Sequence, residues 1–411
     1  MMRFIILIAF NLLLVFGTSL TRAAQKLEDG EMSASKVEKV ESNENLSSEA
    51  TTDDALSRAR SFGQSLFGNI DSEKRPHRGW IWETELEPQD TGWALYIDND
   101  LFALRSNDRD YTGGLSLTLS GARTKDYWFS INDVLQSVDR FSSFDGLHQG
   151  NDRQLHSLEV GFTAFTPADI SSLDSQVGDR PFASIFYLSN THESIDFEND
   201  TAWVSSFTLG VLGSKLVEEL QNNIHKITGS EKPEGWDNQI SDGGELTFRY
   251  SVAKQSLYHF NYQGSNNLEV STTWQASLGY ITEASFGLAT RVGDFDTPWY
   301  SFRPQFNDYS EKSASLAGLS NTGDELFFWA GFNLHARVYN AFLQGQFKDT
   351  KAAFSSQDLR TFVADAWVGV TKQFVSGWRV SYLIRAQSSE VNKGVADRSA
   401  VWGGLILSKG W

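Results

Sequence analysis

Residues 362–387 read FVADAWVGVTKQFVSGWRVSYLIRAQ, two alternating runs separated by a Ser-Gly turn. In the first run Phe362, Ala364, Ala366, Val368 and Val370 share one parity, all small or apolar. In the second, Val380, Tyr382 and Ile384 alternate with Arg379, Ser381 and Arg385. A period of two sends successive side chains to opposite faces of a strand. A strand with one apolar and one polar face suits a wall between lipid and a polar lumen, where every backbone group must pair inside the sheet. The pattern recurs upstream. Trp93, Leu95 and Ile97 alternate with Ala94, Tyr96 and Asp98; Leu115, Leu117 and Leu119 with Ser116, Thr118 and Ser120; Phe248, Tyr250 and Val252 with Arg249 and Ser251.

The expected fold is therefore all-β, a transmembrane antiparallel β-barrel over residues 91–411. Strand-like segments fall near 92–103, 111–121, 156–167, 182–195, 200–212, 244–256, 268–280, 281–293, 325–337, 338–347, 360–374, 378–390 and 398–411. That is one more than the even number a single-chain bacterial barrel requires. Twelve is the expected count, with the surplus near Arg337 or Tyr280. A soluble sandwich or propeller also alternates. Export, aromatics near strand ends and a final strand running Val401, Gly403, Leu405, Leu407 to a terminal Trp411 favour the membrane.

Export is read from the N-terminus. Arg3 precedes an apolar run from Phe4 to Leu20, and Thr21-Arg22-Ala23-Ala24 supplies small residues for cleavage, so 1–24 is expected to be a signal peptide. A single membrane anchor is the alternative. Residues 25–90 form an acidic leader whose scattered apolar residues cannot offset the entropy of ordering it. The chain of 411 residues carries 52 acidic and 35 basic side chains, a net charge of −17, which argues against a nucleic-acid partner. Its mean hydropathy of −0.34 excludes a multi-span helical protein. With no cysteine there is no disulfide framework, zinc–thiolate site or cysteine nucleophile. The 29 Phe, 13 Trp and 12 Tyr suit strands.

Polar residues break the strand pattern in three places. The first is Asp98-Asn99-Asp100 followed by Asp108 to Gly114. The second is Phe165-Thr166-Pro167-Ala168-Asp169-Ile170 followed by Asp179-Arg180-Pro181-Phe182-Ala183. The third is a helix expected from about Lys215 to Thr228, followed by Glu231 and Gly235-Trp236-Asp237-Asn238-Gln239. Ser214 can cap that helix and Gly229 can end it. His225 lies off its apolar stripe of Val217, Leu220, Ile224 and Ile227. If strand 1 rises from the periplasm, alternate connections share one end of the barrel, and all three clusters meet at the extracellular rim. The oxygens of Asn99 and Asp100 suit Ca²⁺, although Asn-Asp pairs also occur in plain turns. Parity also leaves a long periplasmic connection, Ala122 to Leu155, expected to be a small plug or an amphipathic helix around Tyr127 to Val138.

These ordered motifs, Asn99-Asp100, Asp110-Tyr111-Thr112-x-Gly114, Phe165-Thr166-Pro167, Asp179-Arg180-Pro181-Phe182-Ala183 and a His with Gly235-Trp236-Asp237-x-Gln239 downstream, resemble the outer-membrane lipid A 3′-O-deacylase (LpxR) family. The resemblance covers about Thr91 to Trp411. It implies a twelve-stranded, outer-membrane enzyme that removes the 3′-acyloxyacyl group of lipid A in a calcium-dependent, phospholipase A2-like reaction. His225 would be the general base, with Glu231 orienting it or helping at the metal. Asn99 and Asp100 would hold Ca²⁺, Thr112 would complete the pocket, and Arg180 would bind a lipid A phosphate or assist the oxyanion. The partner implied is lipopolysaccharide, and the barrel is expected to be a monomer. The chain departs from the family pattern at Gly113 and Ser184, and it has no lysine between Thr166 and Arg180.

Three other readings stay open. A serine-dependent outer-membrane phospholipase needs a nucleophile near His225, and only Ser230 is close. A porin would want a wider barrel with a charged lumen. An inactive relative would only bind lipopolysaccharide.

Overall fold

The computed structural model describes residues 87–103, 110–148, 153–219, 221, 233–260, 267–306 and 323–410. All lie in the second of two compact units, Phe67–Trp411. The expected signal peptide, almost all of the leader and Trp411 fall outside the described residues. Twelve strands are present among them: β1 (Gly92–Asn99), β2 (Asp110–Ser120), β3 (Arg153–Thr166), β4 (Ala183–Asp196), β5 (Thr201–Leu212), β6 (Glu245–Phe260), β7 (Asn267–Gly279), β8 (Ile281–Asp294), β9 (Glu325–Asn340), β10 (Phe362–Gln373), β11 (Trp378–Gln387) and β12 (Ala400–Gly410). Each pairs antiparallel with its neighbours, and β1 closes on β12 from Gly92↔Gly410 to Asn99↔Gly403. Closure leaves no sheet edge to satisfy in lipid.

The surplus segment was 338–347. β9 runs on to Asn340, whose side-chain oxygen accepts from the Phe342 amide at 3.0 Å and caps a helical turn, Ala341–Gln344. Ala341, Phe342 and Leu343 are buried there, so an apolar run that read as a strand is a turn folded over the barrel mouth.

Alternation sorts the walls as the sequence implied. Leu115 and Leu117 of β2 and Phe328 and Leu334 of β9 are exposed on the outside. Ala94, Tyr96, Trp329, Trp367, Leu383 and Ile406 pack inside. Among the described residues no helix is long and apolar enough to cross a membrane. The lumen is filled rather than open. Residues 295–306 fold up into it, where Trp299 and Tyr300 pack on Leu155, Ile195 and Ala202, and Arg303 pairs with Glu193 at 2.9 Å. A mid-lumen cavity lined by Arg249, Glu283, Asn333 and His335 measures about 20 Å³, room for one water.

The connection from β2 to β3 differs from expectation in place and in extent. It holds a 3₁₀ turn, Ala122–Lys125, then α1 (Asn132–Ser142) and α2 (Asp145–His148). The helix starts after Tyr127 because the Ser130 hydroxyl and the Ile131 amide are both held by Asn190 Oδ1, at 3.3 and 2.9 Å. The amphipathic helix is thus present, displaced by a few residues, and does not act as the plug; residues 295–306 enter the lumen instead.

Candidate functional site on the outer wall at the barrel rim

The rim at the C-terminal end of β1, opposite Gly92 and Gly410, gathers the loops that carry the polar clusters. Arg398 joins the first two, with its Nε 2.9 Å from Asp110 and Nη1 2.6 Å from Asp179. The second and third are joined by Ile240 N–H to Phe182 O at 2.8 Å, Glu234 N–H to Ile170 O at 2.8 Å and Ser184 Oγ to Gln239 Oε1 at 3.0 Å.

Asn99 shares the outward parity of Trp93, Leu95 and Ile97. Its Nδ2 donates to the Thr112 carbonyl at 2.8 Å, so its oxygen is the atom that can face a cation. Thr112 is the extra residue of a bulge in β2, between Tyr111↔Phe165 and Gly113↔Ala164. Bulges re-aim side chains near functional sites. Here the bulge brings Thr112 Oγ1 to 2.7 Å from Thr166 Oγ1, and Thr166 continues the outward row of Phe162 and Ala164 on β3. Asp110 opens the bulge with φ of 70°, a left-handed conformation that Asp tolerates better than most residues. Asp100 starts a 3₁₀ turn, Asp100–Ala103, that folds over the outside of β12, where the outward Tyr382 donates to Phe102 O at 2.5 Å. Gly403 permits that approach: a Cβ there would lie 2.6 Å from the Phe102 carbonyl carbon.

Residues 215–219 are helical and lie on the same outer wall. Val217 packs with Trp236, Phe182, Ile170 and Ala164, beside the outward Phe162 and Phe186. Trp236 Nε1 donates to Gln221 Oε1 at 3.0 Å, which ties the Gly-Trp-Asp loop to this helix. His225 and Glu231 lie outside the described residues. Asn99, Asp100 and Thr112 thus sit together at the outer rim, a short way around the wall from the helical residues 215–219.

Arg180 is placed differently. Its guanidinium is buried over the Phe165 ring at 5.0 Å, pairs with Glu390, and stands 3.7 Å from Asp110. Glu390 also binds Arg337 at 2.5 Å and Asn340 Nδ2 at 2.8 Å. The chain of charges continues down the lumen through Glu283, His335, Asp365 and Arg385. Burial raises the Glu390 pKa, but Arg180 and Arg337 together outweigh it and hold the carboxyl below its ordinary value. Burial likewise disfavours charge on Arg398, and Asp110 and Asp179 more than offset it.

A family profile described as outer membrane protein LpxR matches residues 80–411. The chain belongs to the LpxR outer membrane protein family. Among solved structures, LpxR from Salmonella typhimurium is 19% identical, covering 78% of this chain and 100% of that one with a TM-score of 0.57. The β-domain of the Bordetella autotransporter BrkA is 8% identical over 79% of this chain and all of that one, at a TM-score of 0.37. No curated protein matches the chain. Family membership and the closed barrel place the protein in the outer membrane of a Gram-negative bacterium.

For a chain of the LpxR family, the donor set at the rim fits a hard cation in kind: an amide oxygen, the buried carboxylate of Asp100 and threonine oxygens. Among the described residues, the one group of three His, Asp or Glu side chains close enough to share a metal is Asp139, His148 and His192. It lies towards the opposite end of the barrel, with its atoms hydrogen-bonded to Tyr250, Ser194, Ser205 and Gln154. Thr166, Gly403 and Glu390 received no role from the sequence. Thr166 was legible as part of Phe165-Thr166-Pro167, but its pairing with Thr112 needed the bulge.

Proposed function

We propose that the protein is an outer-membrane esterase that hydrolyses the 3′-acyloxyacyl ester of lipid A in the outer leaflet. The observation that carries this reading is the outward direction of the rim site. By strand register Asn99 and Thr166 belong to the outward rows of the wall, the bulge sets Thr112 against Thr166, with both threonines buried, and the row of Thr166 runs on to Ala164, which packs on the helix at 215–219. An ester of an outer-leaflet lipid reaches this place without leaving the membrane. His225 is the base that takes a proton from water, a role that imidazole chemistry near neutral pH suits, and Glu231 orients it. Thr112 holds the substrate carbonyl region by hydrogen bonding. Ca²⁺ held by Asn99 and Asp100 would supply Lewis-acid polarisation of that carbonyl. Arg180 and Arg398 act as positioning residues. They hold Asp110 in its left-handed conformation and thereby set the bulge that aims Thr112.

The test is expression in a Gram-negative outer membrane with lipid A read by mass spectrometry, then the same assay on isolated membranes with Ca²⁺ or a chelator. Loss of the 3′-acyloxyacyl mass, suppressed by the chelator and by Asp100→Ala, is the expected result. Unchanged lipid A from a folded, calcium-supplied barrel would favour a lipopolysaccharide-binding role instead. Gly403→Val gives a second check, because its side chain collides with the turn that carries Asp100. A shift of about 1 Å in a positioning element costs roughly 100-fold in rate. That loss should come without loss of the folded form on unheated gels; full activity would show that the turn does not position the site.

A further inference from the structure

The connection 121–148 lies on the outside of the barrel, and register shows this. Leu155 of β3, Glu193 of β4 and Val204 of β5 are on the lumen side, against Tyr300, Arg303 and Phe306. Their chain neighbours His156, His192 and Ser205 pair across strands with one another and therefore face out. It is this outward row that the connection covers: Asp139 of α1 accepts from Ser205 at 2.8 Å and from Tyr250 at 2.6 Å, and His148 of α2 meets Ser194 at 2.8 Å.

The position of that row in the wall is unusual. On β9 the outward apolar side chains run from Leu326 to Val338, roughly 40 Å along the strand at ~3.3 Å per residue and about 30 Å across a bilayer at a tilt near ~40°. On β4 only Phe186 and Leu188 are apolar before the outward Asn190, His192 and Ser194 begin. Bare, the periplasmic half of this side would set hydrogen-bonding groups against acyl chains, at a cost of several kcal/mol each.

At about 100° per residue, α1 presents three distinct sides. Asn132, Leu135 and Asp139 meet the wall and are buried. Asp133, Gln136 and Arg140 form a polar side, and Val134, Val138 and Phe141 an apolar side turned away from the wall. Phe141 is 92% exposed and Trp128, just before the helix, 93%. Tyr127 stacks on Phe129 beside it at 5.5 Å. At the end of the barrel opposite the Asn99 rim, Trp93 meets Trp378 edge-on at 5.6 Å, and Lys409 lies 5.3 Å above Trp378, as in the aromatic girdle of an outer-membrane barrel. Trp128 and Phe141 continue that girdle around the side on which the wall itself turns polar. Gly121 makes the entry possible: its φ is 124°, and a Cβ would lie 2.4 Å from Gln89 O.

We propose that α1 and the Tyr127–Phe129 segment lie in the periplasmic leaflet, with their apolar side among phospholipid acyl chains and their polar side towards the periplasm. The connection thus completes the lipid-facing surface over the polar strip of β3–β5, and its partner is the phospholipid leaflet itself. The proposal is independent of the lipid A reading.

A chain without cysteine allows a direct test. The full-length protein with Trp128→Cys, Val134→Cys, Gln136→Cys or Phe141→Cys, nitroxide-labelled one at a time, is reconstituted in phosphatidylcholine–phosphatidylglycerol vesicles. Collision of the label with oxygen, which partitions into lipid, is compared with collision with a water-soluble nickel chelate. Phe328→Cys on the lipid band and Glu198→Cys in the β4–β5 turn set the two limits. Positions 128, 134 and 141 should behave like 328, with oxygen favoured several-fold, and 136 like 198. Water-like collision at 128 and 141 would overturn the proposal, as would shielding from both reagents, which would indicate protein covering that side. Because the labelled side chains at 128 and 141 are almost wholly exposed, their loss leaves the wall contacts intact; a variant that failed to fold would be replaced by its neighbour Phe129→Cys or Val138→Cys.

Discussion

His225→Ala is expected to abolish release of the 3′-acyloxyacyl group to within the detection of mass spectrometry, a fall of roughly 10²–10⁴-fold for loss of a general base. The barrel should remain folded, because β5 and β6, which flank the connection that contains residue 225, are paired along their whole shared length. The pH profile adds a second reading. In the proposed mechanism the neutral imidazole is the active form, so the rate of the native protein should rise with pH through the histidine range and level off above it. A flat profile, or activity surviving in His225→Ala, would remove His225 as the base and leave the rest of the rim site to be explained by another one.

The largest expected effect on stability is at Glu390. This carboxylate is buried between Arg180 and Arg337 and also accepts from Asn340. Removing one member of a buried ion pair typically costs about 3–5 kcal/mol, because the remaining charges keep their desolvation penalty without their partner. Glu390→Ala should therefore lower the temperature at which the compact form disappears on gels, and it should also reduce activity by loosening Arg180, Asp110 and the β2 bulge. The sign with pH follows from the direction of the shift. A carboxyl held below its ordinary value in the fold stabilises fully above the unfolded-state pKa, about 4.3 for Glu. That contribution is lost as pH falls from there through the folded value. Heat resistance should thus hold near neutrality and decline in acid, with a smaller acid decline in Glu390→Gln. Equal melting of Glu390→Ala and the native barrel would show that the charge chain at the mouth carries no stability.

Arg180 illustrates how a motif can be visible while its role is not. Its place in Asp179-Arg180-Pro181 suggested contact with a phosphate or an oxyanion. In the fold its partners include Glu390, 210 residues away, and Asp110 in another loop. No local pattern announces such a partner, because charges on separate loops meet only when the rim closes. The surplus strand at 338–347 failed for a related reason. An apolar run is equally consistent with a strand and with a buried turn, and the Asn340 cap that decides between them acts through a single side-chain hydrogen bond.

The sequence by itself determined the closed barrel of twelve strands, the two faces of those strands whose alternation is clear, and the meeting of the polar clusters at one rim. These follow from period two and from antiparallel parity, both of which are local and need no knowledge of packing. Only the tertiary structure decided what lies on which side of the wall. It set Asn99, Thr112 and Thr166 together on the outward side of the wall, drew Arg180 into the lumen charges, folded residues 295–306 into the lumen, and laid α1 against the outside of β4 and β5. Loops have no periodicity to bind them to a face. Their placement is fixed by the polar groups the wall must bury and by the partners other loops bring, and those are known only once the barrel has closed.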